Sequence, residues 1–479
     1  MLEKNLTERV LLKASESGAD FAEIFAEKLR YSSLTAGAGK IDGLSSGLRL
    51  GAGIRVFKGN FCGYAYTNDL SEAGLMKAAA AASAAAAGAA ASAAVPGAAA
   101  SAAIDGKKLI NSVNLVRQDI ENKHKILVNP MSVPSKEKAA LLKKFSDYGY
   151  AAAREVARVD VTQSSKIQEI FIANSDGLLA EDRRVRTRLG FSVKVEDGGR
   201  RFENFWTKGM LQGLEMIDET DLNEAAEETV RQAVEMLKAD NCPAGKMPVV
   251  LAREIGGVLF HEACGHSLEA TAVARNASVF CGRLGEQIAS PLVTMVDDGT
   301  LPNQWGSTNI DDEGIPTRRN VLIEKGVLKG YLVDRFNGRR MQTEPTGSSR
   351  RESYEYVPTS RMNNTFILGG ESRPEDIVAA TEHGIFAAQI RGGSVNTETG
   401  DFNFSVSRAY LIENGRITRP LRGTKLIGNG GEILRNIDMV GNNPGMRGGG
   451  QCGSKSGWVP VCHGTPTLRV AEIAVGGQK

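Results

Sequence analysis

The sequence predicts an α+β fold built of curved antiparallel sheets and a few long helices, in two domains. Three observations carry this. Glycine is abundant, at 54 of 479 residues, while aromatic residues make up only 6%, a balance that suits turns, bulges and close backbone approaches. Alternating apolar and polar stretches, punctuated by Gly, recur along the chain and read as strands of hairpins. The length exceeds the roughly 100–200 residues that one core usually organises. A turn-rich break, Asn241-Cys242-Pro243-Ala244-Gly245, divides the chain into an expected domain at 1–240 and a second at 241–479.

Taken in order, residues 8 to 30 read as helix and then strand, around Ala22-Glu23-Ile24-Phe25-Ala26-Glu27. Residues 48 to 67 alternate (Leu48, Leu50, Ile54, Val56), with turns expected at Gly51 and Gly59. The Ala-rich stretch Ala78 to Ala103 reads as a helix ending near Pro96-Gly97; its Ala, Ser and Gly gain little from entering lipid. A long helix is expected over 135 to 157, with Ser135 as N-cap and Glu137 close behind. A strand meander follows: Arg158 to Gln163, Ile167 to Ala173, a turn at Asn174-Ser175-Asp176-Gly177, then Arg186 to Val195. Leu222 to Ala239 is amphipathic through Ala226, Val230, Val234 and Leu237, and so helical. After the break, Met247 to Leu251 reads as a strand leading into a helix. The remainder is strand and loop, with two hairpins, Val321 to Leu328 and Ala409 to Ile417, each turning at a Gly.

Charge and cysteine usage narrow the function classes. The net charge is +2, from 58 basic and 56 acidic residues, and the basic pairs (Arg183-Arg184, Arg318-Arg319, Arg339-Arg340, Arg350-Arg351) are short and scattered. No nucleic-acid partner is expected. The N-terminus is of mixed charge without an apolar secretory region, and no run reaches about 18 strongly apolar residues. No membrane partner is therefore expected, and a cytoplasmic location is. The six cysteines form no CxxC pair, so free thiols, one of them a candidate metal ligand, are expected over a disulfide framework.

The segment that carries chemistry is His261-Glu262-Ala263-Cys264-Gly265-His266. In the zinc-peptidase pattern His-Glu-x-x-His, the two His lie four residues apart and face one metal from one side of a helix. Here the spacing is five. At about 100° per residue, five steps leave the second His roughly 140° off the face of the first. Two His ligands on this segment require a distorted helix, either a π-type turn with i→i+5 pairing or an unwinding at Gly265. Two His also leave a catalytic zinc one ligand short. The candidates are Glu269, His124, His383, His463, Cys264, Cys281, Cys452 and Cys462. Glu269 shares the face of His266 if the helix continues, and Cys452 sits in a Gly-rich segment expected to be a loop. Residue chemistry alone does not choose between these two. His463, beside Cys462, reads as a surface or packing residue.

The segment resembles the His-Glu-x-x-x-His signature of the TldD/PmbA family, in its TldD-type form. The likeness extends to Val296-Asp297-Asp298-Gly299-Thr300, Asp311-Asp312-Glu313-Gly314, Pro358-Thr359-Ser360-Arg361-Met362-Asn363-Asn364-Thr365, Ile412-Glu413-Asn414-Gly415 and Cys452-Gly453-Ser454-Lys455. It covers most of residues 247 to 479 and is weaker over 8 to 240. The resemblance implies a zinc peptidase with Zn²⁺ held by His261, His266 and Cys452, and with Glu262 as catalytic base. Flexible or unfolded peptides are the implied substrate, bound as an added strand at a sheet edge. Peptide maturation and antitoxin degradation are the implied roles, in a homodimer or in a heterodimer with a TldE/PmbA-type subunit.

Gly448 to Ser456 approaches the P-loop pattern GxxxxGK[ST], but Ser454 puts Lys455 out of register, and Trp458 to Val461 reads as strand where a P-loop needs helix. A non-catalytic, zinc-stabilised or regulatory partner subunit is the alternative function; a purely structural site has no use for Glu262. An amidase or esterase on a related site is a third reading.

Overall fold

The computed structural model of the chain describes residues 1–93 and 110–477. The expected α+β class, with curved antiparallel sheets, is what it shows. A seven-stranded sheet runs in the order Phe61–Thr67, Lys40–Lys58, Phe21–Gly37, Val156–Asn174, Leu178–Asp197 and Val116–Arg117, with Arg200–Met210 also paired to Leu178–Asp197. Helices Lys4–Ser15 and Glu72–Ala93 cover one part of it, packing Val10, Leu11, Leu75, Ala79 and Ala82 against Ile24, Ile54 and Val56. Helices Ser135–Ala152 and Leu222–Met236 cover another, where Leu142, Phe145 and Val230 meet Val159, Val161 and Phe191.

The alanines have a packing reason. A Cβ on Gly63 would collide with the backbone of Ala82 and Ala86, so small residues let the helix lie directly on the strand Phe61–Thr67. By length and mean hydropathy alone, Glu72–Ser92 could cross a membrane; in the fold its Leu75, Ala79, Ala82 and Ala86 are core. Its expected end near Pro96-Gly97 lies outside the described residues.

Three local expectations are corrected. Gly51 is not a turn: the strand Lys40–Lys58 runs straight through it, paired with Glu27, and its missing Cβ makes room for the ring of Tyr354. The helix Ser135–Ala152 has Pro134 as N-cap, with no side-chain cap, so Ser135 is its first residue. The expected meander is two long strands, because neither Ser164 nor Ser165 breaks the pairing of Val156–Asn174.

Beyond residue 240, strands His383–Val395, Gly245–Leu251, Leu468–Gly476, Thr424–Asn429 and Asp401–Glu413 pair in that order. Pairing of the first with the last closes the ring. A second, six-stranded sheet runs Val327–Leu328, Arg319–Glu324, Met295–Asp298, Asn364–Ile367, Gly457–Gly464, Met446–Ser454. The segment after Gly245–Leu251 packs Leu259, Phe260, Ala263, Cys264 and Leu268 into the core shared with Val249, Ile385, Phe404 and Val470. That packing fixes the motif in place.

Buried ion pairs join the first sheet to the loop at Asp311–Gly314. Arg55 is fully buried and donates to Glu23 at 2.9 Å and Glu313 at 2.6 Å. Arg351 donates to Glu23 at 2.9 Å, and Arg184 to Asp312 at 2.7 Å. Breaking one partner of such a pair leaves an uncompensated buried charge.

Candidate metal centre

The motif begins as an ordinary helix, Gly256–Phe260. A Cβ on Gly257 would collide with the backbone at His463 and Gly464, so the helix can press against the strand Gly457–Gly464. It then changes pitch. Residues His261–Gly265 form a π-helical turn, in which the N–H of His266 donates to the carbonyl of His261. The i→i+5 step cancels most of the angular excess that five residues carry on an α-helix. Both imidazoles turn to one side, with ring centres 5.1 Å apart and planes at 83°. A short 3₁₀ turn, His266–Leu268, ends the helix, and Glu269 is extended. Gly265 keeps ordinary right-handed helical angles; its role is space, since a Cβ there would collide with Sδ of Met362.

Cys452 comes from the other side. The Gly-rich segment around it is an edge strand, Met446–Ser454, and not the expected loop. Cys452 pairs with Val459 across a hairpin. The glycines serve close packing: a Cβ on Gly448 would collide with the carbonyl of Gly209, so this strand lies directly on Arg200–Met210. Arg188 donates to the carbonyl of Gly449 at 3.0 Å and Trp305 to that of Gly450 at 2.7 Å. No helix follows Lys455; the hairpin returns as Gly457–Gly464, which removes the P-loop reading.

The candidate ligand atoms of His261, His266 and Cys452 all lie within 4.8 Å of one another, the one such group among the described residues. Cys452 Sγ is 3.2 Å from His266 Nε2. Glu262 reaches the same nitrogen, with Oε2 at 3.5 Å, and keeps 29% of its side chain exposed. Glu269 stands on the opposite nitrogen: its Oε2 is 3.2 Å from His266 Nδ1. The continuing helix that would have made Glu269 a ligand does not exist, and its carboxylate instead orients the ring from behind, as carboxylates do behind metal-bound His.

The other candidates are elsewhere. His124 accepts from the Asn303 N–H at 3.1 Å, His383 is exposed at the start of its strand, and Cys264 is fully buried against the carbonyl of Gly430. Cys281 faces the carbonyl of Val273, and Cys462 faces Gln304. His463 is a closer neighbour than a surface residue would be, with its ring centre 6.5 Å from that of His261.

The donor set suits a thiophilic divalent ion such as zinc. His261 is buried, yet neither ring nitrogen has a hydrogen-bond partner, an orphaning that native structures rarely leave unexplained. Burial pushes its pKa down to about 4, keeping the imidazole neutral, the form that ligates. Burial would also raise the Cys452 thiol, but His266 outweighs it and holds the thiol below its ordinary range. For His266 burial opposes charge, while Glu269 and Cys452 outweigh it and raise its pKa well above the usual value.

One residue of the site has no signal in the motif. Arg361 is fully buried and donates to the carbonyls of Cys452 at 2.6 Å and Gly457 at 3.1 Å, and to Ser456 Oγ at 3.0 Å. Its Nε is 3.9 Å from Glu269 Oε1. It thus ties the Cys452 hairpin to the carboxylate behind His266. Arg361 stands within the Pro358–Thr365 stretch, whose family likeness was the available hint.

Comparison with known proteins identifies the family. Residues 244–477 match the PmbA/TldA metallopeptidase C-terminal domain, 22–86 match domain 1 and 129–237 the central domain. A protein named metalloprotease TldD homolog from Haemophilus influenzae is 38% identical, over 99% of this chain and 97% of its own length. Another of that name, from Buchnera aphidicola, is 40% identical over 73% of this chain and 74% of its own length. Among solved structures, TldE from Thermococcus kodakarensis superposes with a TM-score of 0.75 at 20% identity, covering 98% of this chain and 99% of its own; at that identity the likeness speaks for fold. Family models over all three regions, and a relative matched along nearly its whole length, place this chain in the PmbA/TldD metallopeptidase family.

Proposed function

We propose that the protein is a zinc-dependent peptidase in which His261, His266 and Cys452 hold Zn²⁺ and Glu262 is the catalytic base. The observation that carries the reading is the convergence of two imidazoles and one thiol within 4.8 Å, with the Glu262 carboxylate beside them. In this reading the chain divides functionally at about residue 240, with 1–240 buttressing the metallopeptidase part, 241–479.

Zinc bound by three protein groups supplies Lewis acidity, lowering the pKa of water and polarising a carbonyl. The protein's own part is orientation and proton handling. Glu262, partly exposed, is free to accept a proton from attacking water and to return it to the departing amine. Glu269 holds His266 in one tautomer, with Nδ1 as donor, which leaves Nε2 for the metal. Arg361 keeps the Cys452 hairpin at its distance.

Flexible or unfolded peptides are the proposed substrate, taken as an added strand. In favour of this, Cys452 stands on the edge strand of its sheet. The carbonyls of Gly450 and Cys452 are already held by Trp305 and Arg361, so an incoming strand pairs with the remaining groups of the edge. Action in the cytoplasm, in peptide maturation or antitoxin degradation, as a homodimer or beside a TldE/PmbA-type subunit, completes the proposal.

The test measures zinc content and peptide cleavage for the wild type and Glu262→Ala. The reading expects the variant to keep its zinc and to lose cleavage. A variant that keeps its zinc and cleaves at the wild-type rate overturns the role of Glu262. A wild type that cleaves equally well after chelation overturns the metal's role.

A further inference from the structure

A second concentration of charge lies behind the Cys452 hairpin. Between the first sheet and the strands Met446–Ser454 and Gly457–Gly464 is a narrow, partly open cavity of about 60 Å³, walled in part by Gln451, Trp458 and Pro460. Four arginines line it: Arg184, Arg186, Arg350 and Arg351. All four are buried. A guanidinium does not shed its charge in a protein, so each needs a counter-charge or bears the desolvation of a bare ion.

Two of the four have one. Arg184 pairs with Asp182 at 3.2 Å and Asp312 at 2.7 Å, and Arg351 pairs with Glu23 at 2.9 Å. The other two have no carboxylate at ion-pair distance; Asp312, already paired with Arg184, acts on both from farther off. Arg186 donates to the carbonyls of Trp305 and Ser307, at 3.0 and 2.9 Å. Arg350 donates to those of Met362 and Pro460, at 2.8 and 2.6 Å. Among the described residues no carboxylate forms an ion pair with either, and their remaining N–H groups have no protein acceptor. Burial and the neighbouring Arg350 push the pKa of Arg186 well down, and burial pushes Arg350 to about 10. Lys166 adds a further cation to the wall; Glu352, the remaining acid there, accepts from the Trp458 N–H.

We propose that this cavity is a binding site for a small inorganic anion, of chloride to phosphate size, held between Arg186 and Arg350. The space fits: a water occupies roughly 10–15 Å³ by this measure, so an ion of a few heavy atoms is accommodated. Unused N–H donors on two buried cations recognise an anion by charge and by hydrogen bonding together. Because Arg350 also holds the Pro460 carbonyl, the bound ion braces the hairpin that carries Cys452.

The test uses the full-length, zinc-loaded protein at constant ionic strength, with gluconate, too large for the cavity, replaced stepwise by chloride or by phosphate. The thermal midpoint of the wild type rises in at least one of them, by about 2 °C at saturating concentration. Arg186→Met loses that response and is no less stable than the wild type in gluconate, because it removes a buried charge that has no ion-pair partner. If the wild-type midpoint ignores both anions, or the variant responds as the wild type does, the proposal is wrong and water fills the cavity. Should Arg186→Met not fold, wild-type crystals grown in the responding anion, with bromide standing for chloride, decide. Anion density bridging Arg186 and Arg350 supports the site, and its absence overturns it.

Discussion

Replacing Glu269 by Gln separates the two roles open to that residue, ligand or orienting group. The substitution keeps size and removes charge. In the structure the Glu269 carboxylate is 3.2 Å from His266 Nδ1, while Cys452 occupies the Nε2 side at 3.2 Å. An orienting carboxylate typically contributes tenfold to a hundredfold in metal affinity, or about 1.4–2.7 kcal/mol. Glu269→Gln is therefore expected to bind zinc, one to two orders of magnitude more weakly, in a chelator-competition titration. Cys452→Ala, which removes a proposed ligand, is expected to bind none at the same concentrations. An unchanged affinity in Glu269→Gln refutes the orienting role. Loss of zinc from Glu269→Gln, with retention in Cys452→Ala, refutes the ligand set.

Two further predictions concern how the site is framed. Gly265→Ala puts a methyl into Met362 and is expected to destabilise the protein by about 1–3 kcal/mol in urea unfolding, with part of the loss recovered by adding Met362→Ala; a Gly265→Ala protein of wild-type stability contradicts the packing argument. Asp312 is buried, which alone would raise its pKa, but Arg184 and Arg351 outweigh burial and hold it below the ordinary value. With its folded pKa below the unfolded value of about 3.9, its contribution is full above about pH 4 and is lost as pH falls through the folded pKa. Asp312→Asn is thus expected to cost about 3 kcal/mol at pH 7, and the gap to wild type should narrow at pH 3; an equal gap at both pH values contradicts the assignment.

Local chemistry made much of the fold readable. The turns at Asn414-Gly415 and Lys325-Gly326 fall where a Gly ends each, and Asn414, Gly415 and Gly326 take the left-handed angles that suit them, with Lys325 drawn into the same region; alternation marked the flanking strands. Glycine misled wherever it serves packing: Gly51 makes room for Tyr354, and Gly448 for the carbonyl of Gly209, so an expected turn and an expected loop are strands. At the motif, the five-residue spacing demanded a pitch change, and the chain makes it as a π turn. Long-range pairing was invisible. Nothing near Arg361 signals that its guanidinium would hold a hairpin 91 residues away, and nothing near Glu269 signals that the helix would stop one residue short of it.

X-ray absorption at the zinc edge of the purified, zinc-loaded protein tests the ligand set most directly. The proposed site requires one sulfur at about 2.3 Å and two imidazole nitrogens at about 2.0–2.1 Å, with a light oxygen scatterer completing four-coordination, and loss of the sulfur shell in Cys452→Ala. A shell of nitrogen and oxygen alone in the wild type, or a sulfur shell that survives in Cys452→Ala, would contradict it.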